Sequence, residues 1–176
     1  MTFTLETKTS FYSATKLKNE DKPNTIGIIP FVLNEDKSNH LNMSLGLESL
    51  NLLKILRENN IPTDDKLFDK YNVQLYSQES SLEELVLSIV FFSQAFISKS
   101  PVLSSVVINI TSNYIYDLIK KRNSKSVKVK IELQFEEVEG NITSLKYDGN
   151  CFQQFEFKKK ADEIIIRING KNNDTN

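Results

Sequence analysis

Cysteine and histidine occur once each, as Cys151 and His40, and tryptophan does not occur. A disulfide within the chain is therefore excluded, and so is any zinc site rich in thiolate or imidazole ligands. A Cys-His pair would have to unite these two residues. His40 lies in the polar run from Asn34 to Asn42 and Cys151 beside a turn, so Cys151, next to Phe152, reads as a small buried hydrophobe. Glycine is scarce, and its five copies (Gly27, Gly46, Gly140, Gly149, Gly170) supply neither a phosphate-cradling loop nor a dinucleotide fingerprint. Charge of either sign is not in excess: the net charge is −1, so no overall positive field attracts polyanions. Met1 to Glu6 lacks the basic start and apolar centre of a secretory signal, which makes a cytoplasmic location the expectation. No cofactor or metal is expected from this inventory.

What the chain does have is Leu85 to Tyr116, thirty-two residues with a single charged side chain, Lys99. Two overlapping capping-box patterns, Ser80-x-x-Glu83 and Ser81-x-x-Glu84, precede it and predict a helix from Leu82 to about Ser98. Ser100-Pro101 predicts a second start, with Pro at the first helical position, and the Lys120-Lys121-Arg122 cluster suits the negative end of a helix dipole. In that second helix Leu103, Val106, Val107, Ile110, Tyr114 and Leu118 share one apolar face, while Ser105, Asn109, Ser112 and Tyr116 form a narrow polar stripe.

From Val127 the period changes from 3.6 to 2. Odd positions to Phe135 are apolar and even ones polar or charged, the pattern of a strand with one face on a core. Gly140-Asn141 predicts a two-residue hairpin turn, with Ile142 to Tyr147 returning antiparallel. Phe152 to Lys158 and Glu163 to Asn169 read as further strands of a meander, with a single terminal helix as the competing assignment. Upstream, Phe3 to Thr7 reads as a short strand, Thr25 to Leu33 as a buried strand that Pro30 pushes to a sheet edge or ends early, and Ser44 to Asn59 as a helix stopped before Pro62. The expectation is one α+β domain over residues 1–170 with a flexible tail at 171–176. An apolar helix pair at 81–121 packs on an antiparallel sheet dominated by 127–147.

Three chemistries compete for this scaffold. Lys99 and Pro101 divide the apolar stretch into uncharged pieces of 14 and 17 residues, the first too short to cross a bilayer, so a membrane role is not expected. Lys158-Lys159-Lys160 with Phe152, Phe155 and Phe157 imitates a nucleic-acid platform. Those rings alternate as a core does, and Glu132, Glu136 and Glu156 interrupt the positive charge, so nucleic acid is not an expected partner. Glu156-Phe157-Lys158 has the E-x-K form, with Asp148 eight residues upstream. This resembles the restriction-nuclease-like pattern, and the resemblance implies that Asp148 and Glu156 would hold Mg²⁺ while Lys158 polarises the attacking water. The Asp-to-Glu spacing is short for that family and no proline precedes the aspartate.

The order of elements from Leu82 to Tyr147 is an apolar helix pair ending in Lys120-Lys121-Arg122, an amphipathic strand, a Gly-Asn turn and a return strand. In layout it is similar to small accessory components of bacterial defence and conflict systems. That resemblance implies assembly with a partner rather than chemistry of its own. The mostly apolar circumference of 101–119, more than a small domain encloses, adds the expectation of a non-enzymatic interaction protein that associates with itself as a homo-oligomer or with an operon-encoded partner. The candidate interface is the face Leu103, Val106, Val107, Ile110, Tyr114 and Leu118, and the alternative is the Mg²⁺-dependent nuclease using Asp148, Glu156 and Lys158.

Overall fold

The alternating segment is strand β9 (Lys128–Glu136), and the return strand is β10 (Ile142–Gly149), paired antiparallel from Ile142↔Glu136 to Gly149↔Val129. These coordinates come from a computed structural model, which describes residues 2–8, 24–35, 41–64, 69, 71–76, 84–122, 127–137, 140–150 and 152–173. His40, Cys151 and the capping residues Ser80, Ser81 and Glu83 lie outside that set. The hairpin is closed further back than a two-residue Gly140-Asn141 turn would allow. The Gly140 amide donates to the Glu137 carbonyl at 3.0 Å and the Glu137 amide to the Asn141 carbonyl at 2.8 Å. Gly140 sits at φ 75°, a conformation that glycine adopts without the Cβ penalty.

The other strands are β1 (Thr2–Lys8), β2 (Ile26–Ile29), β3 (Phe31–Glu35), β4 (Leu41–Gly46), β5 (Thr63–Asp64), β6 (Asn72–Tyr76), β7 (Glu84–Val86) and β8 (Ile89–Phe92). The helices are α1 (Leu47–Glu58), α2 (Gln94–Lys99), α3 (Pro101–Lys121) and α4 (Gln154–Asn173). The fold is α+β, as the sequence predicts. Its main sheet is mixed rather than antiparallel: seven strands in the order β1-β10-β9-β8-β2-β5, with β7 also on β9. Both β7 and β8 run parallel to β9, and the polypeptide crosses over from β8 to β9 through α2 and α3. Pro30 divides the predicted 25–33 strand in two, leaving β2 in the main sheet and β3 in a second, three-stranded sheet, β3-β4-β6.

Two predicted elements are corrected. The first helix of the expected pair is not a helix over 82–98: Glu84 to Phe92 is a strand interrupted at Leu87-Ser88, and only Gln94–Lys99 is helical. The register shifts from Glu84↔Lys128 to Val90↔Leu133, so one extra residue is taken up at the interruption, where the Ser88 amide donates to Ser49 Oγ of α1. The reason for the misreading is burial on two faces. Val90 and Phe92 enter the main core beneath the helices, whereas Ile89 and Phe91 enter a second core with Ile29, Met43 and Ile142 on the opposite face. A strand covered on both sides loses its period-2 signature and reads as a continuous apolar run. The true helix start is Ser93, whose Oγ accepts from the Phe96 amide at 3.2 Å.

The second correction concerns 152–169, which is not a pair of strands. It forms α4, buried through Phe157, Ala161, Ile164, Ile165 and Ile168, a helical spacing of 4, 3, 1 and 3. That helix continues to Asn173, three residues into the segment expected to fray. The predicted 44–59 helix begins at Leu47, because Leu41–Gly46 pairs with β3 and β6 as a strand. Its end is as expected, with Asn60 in the left-handed region at φ 58°.

Candidate interaction surface

Helices α3 and α4 lie antiparallel on the outer side of the main sheet. Their crossing is fixed by polar contacts at two levels: Ser105 Oγ donates to Asp162 Oδ1 at 2.8 Å, while Gln154 Nε2 and Lys158 Nζ donate to Asn113 Oδ1 at 2.6 and 3.2 Å. Along this stretch α3 turns Ser104, Val107, Ile108, Thr111, Ser112 and Ile115 inward. Half of that buried face is small hydroxyl side chains, and Ala161 of α4 is buried as well, which lets the neighbouring backbone come close. The predicted polar stripe is thus divided. Ser105 serves the α3–α4 contact, Ser112 is buried, and Asn109 and Tyr116 are exposed.

The predicted interface face is divided too. Val107 is fully buried, and Ile110, Tyr114 and Leu118 pack partly buried against the core. Leu103 and Val106 remain outside at 36% and 37% exposure. Sequence reasoning missed two companions: Val102, 78% exposed, and Ile166, 70% exposed. Ile166 is one turn beyond Asp162 and Val102 one turn before Ser105. The antiparallel crossing therefore puts the two at about the same level of the helix pair, with Leu103 and Val106 on the same turns of α3 as Val102 and Ser105. The signal for Ile166 was present in Ile164-Ile165-Ile166, because a helix cannot bury three consecutive residues on one face.

Tyr114 faces α1 instead of solvent. Burial, partly offset by the Asn51 side chain and reinforced by the Glu48 carboxylate, pushes its hydroxyl up to about 12. An unfolded tyrosine titrates near 10, so the folded protein holds this proton longer than the unfolded chain. The resulting stabilisation is complete below about pH 10 and is lost as the pH rises towards 12. Tyr114→Phe is expected to flatten the fall in stability above pH 10, measured by urea unfolding from pH 9 to 11.5. A fall as steep as wild type's would place that loss on other groups.

The nuclease triad does not converge. Glu156 and Lys158 lie on helix α4, not on a strand, and residues two apart on a helix stand about 200° apart around its axis. Lys158 is turned to Asn113 of α3, and Asp148 on β10 forms a 3.5 Å ion pair with Lys128. Among the described residues no group of three or more His, Cys, Asp or Glu side chains could hold a metal ion. The lysine-aromatic platform is dispersed as well: Phe157 is buried, Phe152 packs edge-on to Tyr147 at 5.4 Å, and Lys160 lies 5.3 Å above the Phe3 ring.

The charged face of the main sheet is internally paired. Lys130 bonds Glu84 at 2.8 Å, and that hydrogen bond and charge hold the ammonium above its usual range. Burial works against the charge of Lys146, but Glu6 at 2.9 Å and the nearby Glu132 outweigh it, with a net upward displacement. By length and composition α3 is the one described helix apolar enough to cross a membrane, with Val107, Ile108 and Ile115 packed into the core. Comparison with known protein families, with curated proteins and with solved structures finds no match.

Proposed function

We propose that this chain is a non-catalytic protein–protein interaction module that docks a partner on the outer surface of the α3–α4 pair. One observation carries the reading: Val102, Leu103, Val106 and Ile166 expose apolar side chains on two helices whose crossing is held by side-chain hydrogen bonds. Apolar side chains scattered singly over a surface need no explanation, whereas four gathered on a rigid platform match the centre of a binding site. The proposed partner is an operon-encoded protein, the kind of partner that the sequence resemblance implies. A role through assembly also accords with the dispersal of the candidate catalytic groups.

The test is co-expression with the products of adjacent genes, comparing wild type with Val106→Asp. Because Val106 is partly exposed, the substitution is expected to change stability by no more than about 0.5 kcal/mol. It is expected to reduce the co-purified partner at least tenfold. Retention of the same partner at the wild-type level would remove the α3–α4 surface from the reading.

A further inference from the structure

A second surface lies on the flank of α4 away from α3, between that helix and strand β1. Strand β1 is the edge of the main sheet, paired to β10 without a break from Thr2↔Asp148 to Lys8↔Ile142. Among the described residues nothing pairs with its outer side. A strand edge is a template for pairing with another strand, and proteins ordinarily blunt such edges with proline, bulges or a cover. β1 has no proline and no register shift. Leu5, at its centre, points to the helix side and is 55% exposed.

Above that edge, Phe3, Leu5, Leu145 and Ile164 line a cleft of about 290 Å³ between β1 and α4, with Lys160, Glu163 and Arg167 at its rim. The rim charges restrict what can enter. Arg167 is already paired with Glu137 at 2.9 Å, and Lys160 and Glu163 are of opposite sign, so the cleft has no surplus charge for an anion or a cation. What it offers, among the described residues, is an apolar floor beside a strand edge that no other strand pairs. A neutral, extended, apolar-centred strand fits both.

We propose that the occupant is β1 of a second copy, joining two sheets antiparallel across a two-fold axis at Leu5. The sequence of β1 is self-complementary in that register. Leu5 faces Leu5, Phe3 faces Thr7, Thr4 faces Glu6 and Thr2 faces Lys8, so no two like charges stand opposite. Each Leu5 then covers the other's exposed side and closes the mouth of the cleft. The net charge of −1 per chain opposes this pairing only weakly. The result is an isologous dimer with a continuous fourteen-stranded sheet, twice the seven strands of one chain.

The experiment uses the full chain with Cys151→Ser as background. In antiparallel pairing, residues on the axis have Cα atoms about 4.5–5.5 Å apart, within the span of a disulfide. Leu5→Cys is expected to give a covalent dimer on mild oxidation. Thr7→Cys is not, because its copies would lie about 14 Å apart at a rise of ~3.4 Å per residue and a strand spacing of ~4.8 Å. Light scattering during size exclusion is expected to show wild type and Val106→Asp as dimers and Leu5→Lys as a folded monomer. A wild-type monomer at tens of micromolar, a dimer that survives Leu5→Lys, or equal cross-linking at positions 5 and 7 would overturn the proposal. A dimer lost with Val106→Asp alone would overturn it as well, by assigning self-association to the helix platform.

Discussion

Phe135→Ala is expected to lower the unfolding free energy by about 3–5 kcal/mol, the range for deleting a buried aromatic ring. For a chain of this size that corresponds to a fall in melting temperature of roughly 6–20 °C. Phe135 is fully buried near the end of β9 and stacks on Phe92 of β8, with centroids 4.8 Å apart and planes inclined by 18°. The pair joins β9 to β8 on the helix side of the sheet, at Phe92↔Phe135 in the parallel register. Removing the ring therefore opens a cavity and also takes away the contact that holds the crossover strand in place. Phe135→Leu keeps most of the volume and is expected to cost about 1.5 kcal/mol or less. Urea unfolding of both variants checks the ordering; an alanine variant no less stable than the leucine one would show that this core collapses freely around the gap.

Arg122→Ala carries the next largest expected effect, about 3 kcal/mol. Arg122 follows the last turn of α3. Its Nη1 donates to the Glu84 carbonyl of β7, and its Nη2 lies 3.5 Å from the Glu48 carboxylate of α1, with both side chains under 15% exposed. One guanidinium thus fastens three elements that sequence separates by 36 to 74 positions. Its loss leaves a strand carbonyl unpaired and the Glu48 carboxylate without its counter-charge, and Glu48 Oε2 is already buried without a hydrogen bond. Removing one member of an enclosed pair costs more than removing both, so Glu48→Gln added to Arg122→Ala is expected to recover part of the loss. Additive losses in a double-mutant cycle would show that the two side chains are energetically independent.

Legibility in the sequence followed burial. β9 was readable because the face of its first half away from the helices is partly solvated, which preserves the alternation of Lys128, Lys130 and Glu132 with Val129, Ile131 and Leu133. α3 was readable from Ser100-Pro101 and its basic end. β8 was misread because Phe91 and Phe92 are both fully buried, against different cores. α4 was misread as strands because Phe155 and Phe157 alternate with charge, although Phe155 is 76% exposed and Phe157 has no exposure at all. In the candidate interface, Leu103 and Val106 were identified as apolar and Val107 was placed with them, yet only the packing of α3 against α4 separates them. Val102 and Ile166 join them only through that crossing, which the Ser105–Asp162 contact sets.

Local patterning and composition by themselves determined the α+β class, the C-terminal hairpin, the start of the long apolar helix and the exclusion of an intrachain disulfide. These depend on neighbours in sequence and on the composition of the chain. Tertiary structure alone decided the mixed sheet, the second core, the separation of Asp148 from Glu156 and Lys158, and the side chains left facing water. Each of those depends on what covers a residue from a distant part of the chain, and a period of 2 or 3.6 records how many faces are covered without recording what covers them.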